Sequence, residues 1–201
     1  NVIGIVSGKS LNSGLNLAAT GPVTVGSVDG VVGLTIGGSG NLQISTTGLI
    51  TVSQNITATG GAVGLTGGGG VTLGAGKQVA GGTITLNGSG TGGLSLSSGN
   101  LTASGNITLT NNIGAVLGNI SSSGTLAFNG IGGAVSQAGG TNVAVTTVSA
   151  STLASSLTLD SNTNQIISVA ATNAAGGVNI VDSTGGLAVT GVINGGSNAV
   201  Q

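Results

Sequence analysis

The chain is predicted to be all-β, a parallel β-helix of about ten coils with roughly 20–21 residues and three short strands in each. One observation behind this is a pair of aliphatic columns that recur along the sequence. The first runs Val23, Leu42, Val63, Ile84, Ile107, Leu126, Val145, Ile167, Leu187, and the second Val31, Ile50, Val71, Leu94, Val116, Val135, Leu157, Val178, Val200. Each advances by about 21 residues, a period at which one supersecondary unit buries its apolar face only against its neighbours. The second observation is local alternation, as in Val23-Thr24-Val25, Ile84-Thr85-Leu86 and Leu157-Thr158-Leu159. Apolar residues at every other position, bounded by Gly, Ser and Asn, mark short half-buried strands. The third is composition: 38% of the 201 residues are hydrophobic but only five are charged. Disordered chains combine low hydrophobicity with high charge, so this balance requires packing.

Between the two columns lies a third, Leu34, Ile56, Val79, Leu101, Ile120, which supplies the third strand of each coil. It fades after Ile120, and the spacing predicts either a looser third face or an insertion near Val143 to Leu153. Helices are disfavoured because the 43 glycines leave few uninterrupted stretches, and each would cost a helix interior about 1 kcal/mol relative to Ala. Glycine clusters such as Gly67 to Gly70 and Gly92-Gly93 fall between column positions, where the chain must bend. The lone Phe128 stands two residues after Leu126, in register with Val25, Ile44, Leu65, Leu86 and Leu109, and is expected to fill the core. Asn55, Gln78, Asn100 and Asn119 each precede a third-column residue, a placement that predicts a stacked amide ladder. All of residues 1–201 are assigned to one solenoid domain. The start Asn1-Val2-Ile3-Gly4, without a basic region or initiator Met, points to a mature fragment or a repeat segment of a longer chain.

The same composition removes several functions. Two lysines and a net charge of −1 offer nothing to neutralise a run of phosphates, so no nucleic-acid partner is expected. Aliphatic runs such as Ala115-Val116-Leu117 stop far short of the roughly twenty residues that a membrane span requires. One Phe and no Trp or Tyr leave no aromatic girdle for a membrane barrel. There is no His, Cys or Glu to serve as base, nucleophile or soft metal ligand. No catalytic, cofactor or metal residues are therefore assigned, and no enzyme is expected. Asp160 and Asp182, 22 residues apart, are the one pair that adjacent coils would bring near each other, as in a glycosidase or lyase. With no Arg, Lys, Tyr or Trp near them to hold a sugar, they are read as separate turn aspartates. Thr66-Gly67-Gly68-Gly69-Gly70 lacks the Lys-Ser/Thr of a phosphate loop, and no repeat carries the Asp of a calcium-binding roll. Sequons at Asn55, Asn87, Asn100, Asn106 and Asn119 would be glycan acceptors in a secreted eukaryotic protein, although a repeat so rich in Asn, Ser and Thr also produces the triplet by chance.

The units Gly99-Asn100-Leu101-Thr102 and Gly105-Asn106-Ile107-Thr108, set in Ser/Thr/Gly spacers near twenty residues, resemble filamentous-haemagglutinin-type exoproteins of two-partner secretion and the passenger repeats of autotransporter adhesins. The resemblance covers Val23 to Val200 as composition and period. It implies a right-handed parallel β-helix, exported across a Gram-negative outer membrane and displayed at the bacterial cell surface as a fibre or adhesin. The amino-terminal secretion domain of that family is not recognisable in this sequence, and the scarcity of charge is extreme. The expected function is a non-enzymatic extracellular structural protein that self-associates head to tail or laterally, with host-surface or matrix polysaccharide as a further partner. The alternative is a monomeric ligand-binding solenoid for carbohydrate or ice. The outward row Thr24, Gln43, Gly64, Thr85, Thr108, Ala127, Thr146, Ser168, Ala188 is too irregular for an ice lattice, and no aromatic platform is present for sugars.

Overall fold

A computed structural model describes residues 1–183 and 185–201. These residues form a parallel β-solenoid of about nine turns, with no helix. One face is a nine-stranded sheet that begins at Ile5–Val6 and Val23–Val25 and continues through Ile50–Val52, Val71–Leu73 and Leu94–Ser95 to Val178–Ile180. The other two faces belong to one fifteen-stranded sheet. One of them carries the strands Leu34–Ile36, Ile56–Ala58 and Gln78–Gly81, and the other carries Leu42–Thr46, Ala62–Gly67 and Thr83–Gly88. They meet in Asn119–Asn129, Val143–Leu153 and Gln165–Ala174, where two short strands have merged into a single long one that turns the corner. A register shift between Ser122 and Thr125 marks the corner.

The core is a column of aliphatic side chains, with Leu42, Val63, Ile84, Ile107 and Leu126 stacked in register and buried. Phe128 is fully buried, as expected, but its ladder runs Leu17, Ile44, Leu65, Leu86, Leu109, Phe128, Ala150. Val25 lies on the nine-stranded face instead. Ala150 directly follows the ring on this ladder, a small side chain beside a large one.

Several column assignments are corrected. Val23 pairs with Ile50 and so heads the second column, while Leu15 heads the first. Val31 lies outside both columns, on a hairpin described below. Val116 faces outward, 43% exposed, and its neighbours Ala115 and Leu117 point in. Ile167 is 60% exposed, and Ile166 is buried in its place. Val145 is buried but pairs with Ser122 and Ile166, and Val148 takes the position beside Leu126. Leu187 is only partly buried, and Val189 pairs with Val169. Side chains alternate along a strand, so choosing the wrong member of an apolar pair reverses the face.

The third column runs one coil further than expected: Ile120 is followed in register by Val143, and only the next coil breaks it, with the buried amide of Asn164 in place of an aliphatic residue. Val143–Leu153 is a continuous strand, and the irregularity expected there amounts to register shifts against Gln165–Ala174 between Val148 and Ala150 and between Ala150 and Leu153. The inserted residues lie nearer the amino terminus, where Ser27–Val28 and Val31–Val32 form a two-stranded antiparallel hairpin around Asp29 and Gly30, both at positive φ. That excursion stretches the step from Val23 to Ile50 to 27 residues, against 21 from Ile50 to Val71, and helps bring the count to about nine turns instead of ten.

Candidate functional site: amide ladders and a glycine-floored groove

The expected amide ladder forms only in part: Gln78, Asn100 and Asn119 stand in register, but one step alone is bonded amide to amide, and elsewhere a side-chain oxygen takes a main-chain N–H of the next coil. Asn55 Oδ1 accepts the Gln78 amide N–H of the next coil at 3.0 Å, and Asn119 Oδ1 accepts that of Asn142 at 2.9 Å. Asn119 Nδ2 donates to Asn100 Oδ1 at 3.0 Å, while Gln78 Nε2 turns aside to Thr102 Oγ1. Asn41 and Asn106 repeat the arrangement one corner away, each accepting the backbone N–H of the following coil. An asparagine at a coil corner thus supplies an acceptor where the ladder of main-chain carbonyls is interrupted. Asn55, Asn100, Asn106 and Asn119, four of the five sequon asparagines, are engaged in this way.

A polar cluster inside the solenoid escaped sequence reasoning. Gln137 and Asn164 face each other across adjacent coils and exchange bonds, Gln137 Nε2 to Asn164 Oδ1 at 2.8 Å and Asn164 Nδ2 to Gln137 Oε1 at 3.0 Å. Asn164 also accepts the Val143 N–H and donates to the carbonyls of Leu159 and Val181. The cluster satisfies buried groups, as a buried polar side chain must. Its only trace in the sequence is an amide standing in the third column.

Asp160 and Asp182 occupy different settings. Asp182 is half-buried and its Oδ1 accepts the Ile166 N–H at 2.8 Å, whereas Asp160 is exposed beside Ser161 to Thr163 and the Gly139-Gly140 turn. In the stretch Gly67 to Gly70, the N–H groups of Gly68, Gly69 and Gly70 donate to the carbonyls of Thr46, Gly48 and Gly67, so none is turned toward an anion. Among the described residues no group of three or more His, Cys, Asp or Glu is placed to hold a metal, and no helix is long and apolar enough to cross a membrane.

The outward surface of the nine-stranded face carries a row of hydroxyls, Thr24, Thr51, Thr72 and Ser95 in successive coils, interrupted by Val116 and resumed at Ser136 and Thr158. Thr24 therefore belongs to this row and not to the row beside the first column, where Asn16 stands next to Gln43. Along one border of the row runs a groove of about 650 Å³. Its floor is made by Gly69, Gly92 and Gly93, and its apolar flanks by Leu49, Ile113 and Val116. Glycine is required there by close approach of the coils: a Cβ on Gly93 would lie 2.7 Å from the Gly114 carbonyl oxygen. Where successive coils lack side chains at this corner, a depression opens that runs from the coil of Leu49 to that of Ala134 and Ser136, with Thr72 and Ser95 of the hydroxyl row along its side. No charged residue lines it.

No family model, curated protein or solved structure matches the chain.

Proposed function

We propose that this chain is a non-enzymatic structural segment of an extracellular fibre or adhesin, displayed at a bacterial cell surface in the manner of the filamentous-haemagglutinin-type exoproteins its repeats resemble. The observation that carries this reading is the parallel ladder, which runs through about nine turns and presents outward rows of uncharged hydroxyl and amide side chains. Such a rod projects a surface at fixed spacing without chemistry of its own. Self-association is the expected partnership, because a coil edge offers unpaired strand groups to whatever coil meets it, of this chain or of another copy. Low charge also removes the repulsion that would keep rods apart.

A second reading, a ligand-binding solenoid for carbohydrate or ice, gains from the hydroxyl row of the nine-stranded face, which is more regular than the row inferred from sequence. Protease shaving of intact source cells, read by mass spectrometry, tests the surface assignment. Peptides of this chain released before lysis support it, and release only after lysis overturns it. Thermal hysteresis or retention on neutral polysaccharide by a monodisperse monomer would favour the second reading.

A further inference from the structure

We propose that Asn129-Gly130 is a self-modifying site, at which the Asn129 side chain closes on the Gly130 nitrogen and its amide is exchanged for a carboxylate. The inference is independent of the surface-fibre reading, since the reaction needs only this chain and water. Three Asn-Gly pairs occur in the sequence, and the fold treats them differently. Asn87-Gly88 lies within the strand Thr83–Gly88, where Gly88 is held in the ladder between Gly67 and Asn111. In Asn194-Gly195 the glycine is buried, and Asn194 Oδ1 is taken by the Gly196 N–H at 2.9 Å. Asn129 is the exposed last residue of the strand Asn119–Asn129, and Gly130 beyond it is exposed as well. Among the described residues the Gly130 N–H has no hydrogen-bond partner. A Cβ on Gly130 would meet nothing within 4 Å, so the bend is open to water.

Those features favour ring closure. A nitrogen bonded in a ladder is released only when the strand opens locally, whereas the Gly130 N–H is already free. Its proton passes to solvent water or hydroxide, the nitrogen lone pair forms a bond to Asn129 Cγ, and the carbonyl electron pair moves onto Oδ1. Ser151, on the next coil, donates its hydroxyl to that oxygen at 3.3 Å and so stands where the negative charge develops. The tetrahedral centre collapses by expelling Nδ2, which leaves as ammonia with a proton from solvent. Water then opens the cyclic imide. Attack at the side-chain carbonyl gives aspartate, and attack at the main-chain carbonyl gives isoaspartate, whose peptide link runs through Cβ. The sum is amide plus water to carboxylate plus ammonium, with no oxidation or reduction. The isoaspartate form lengthens the main chain by its Cβ, and the open bend at Gly130 takes up that length ahead of the Ile131 N–H bond to the Thr152 carbonyl. The rod gains a carboxylate between the neutral hydroxyls of Thr110 and Ser151, in a chain whose net charge is −1.

Peptide mapping by mass spectrometry of the folded chain, aged at neutral pH, tests this. Asn129 should convert at least about tenfold faster than Asn87 or Asn194, because those two wait for a local opening. In urea that preference should vanish, since the unfolded chain presents all three pairs alike. Ser151→Ala should slow the conversion by about three- to tenfold, the worth of one hydrogen bond. Ser151→Thr, which keeps the hydroxyl, should restore the rate. Ser151 is exposed, and unchanged circular dichroism checks that both variants fold. Asn129→Gln, which would have to close a larger ring, should hold its amide. Equal rates at the three pairs in the folded chain, or an Asn129 that stays an amide while Asn87 converts, overturns the inference. An unchanged rate in Ser151→Ala overturns the role given to its hydroxyl.

Discussion

Gln137 and Asn164, 27 residues apart in sequence, satisfy each other's amides within a mainly apolar interior. A stack of similar coils has one characteristic hazard, which is that strands pair one coil out of register at small cost. A reciprocal amide pair is satisfied in one alignment only, so every slipped alignment leaves donors and acceptors buried without partners.

Asn164→Leu is expected to cost about 3–5 kcal/mol, because it strips Gln137, the Val143 N–H and two carbonyls at about 1–3 kcal/mol per orphaned group, with some relaxation. Gln137→Leu should cost only about 1–3 kcal/mol, since Asn164 keeps its backbone partners. The double variant should fall close to Asn164→Leu alone, with a coupling of about 1–2 kcal/mol. Urea unfolding of the four proteins measures this cycle, and strict additivity would show that the pair does not act as a unit.

Adjacent isoleucines offer a sharper test of register. Ile166→Ala removes a fully buried side chain and should cost about 2–5 kcal/mol, whereas Ile167→Ala, on the outward side, should change stability by no more than about 0.5 kcal/mol. Thermal melts of the two variants decide it; a larger loss for Ile167→Ala than for Ile166→Ala would mean that the strand Gln165–Ala174 is turned the other way.

Phe128 and Ala150 form a large-and-small pair on one ladder. Phe128→Ala should cost about 3–5 kcal/mol by opening a void, and Ala150→Leu about 1–3 kcal/mol by overfilling beside the ring. Combining Phe128→Leu with Ala150→Val, which shifts volume from one coil to the next, should be less damaging than the sum of its parts. A calorimetric comparison of these proteins checks the compensation.

The period made the fold legible, because Leu42, Val63, Ile84, Ile107 and Leu126 each stand alone among small or polar neighbours and leave no doubt about which residue points in. Legibility failed where two apolar residues adjoin, as at Ala115-Val116 and Ile166-Ile167, since alternation then fits either face. It failed at Asn164 for the opposite reason, because a polar residue occupies a core position and satisfies itself there. The hairpin had a signal that the column reading obscured. Val28-Asp29-Gly30-Val31 is an Asp-Gly turn between valines, a strong short hairpin pattern, yet the spacing of Val31 alone fits it to a column. The groove left no motif, since it is produced by side chains that are missing from successive coils.

The ladder bonds of every face lie along the rod axis, which has a mechanical consequence. Tension applied at the two ends loads one coil interface after another in series, so the rod yields by peeling at its weakest turn and not by shearing everywhere at once. Each released turn of about 21 residues, at ~3.4 Å per extended residue, adds about 70 Å of chain in exchange for ~4.8 Å of rod. A tether built this way lengthens many-fold under load before any covalent bond is strained, and it rewinds turn by turn on the coils that remain.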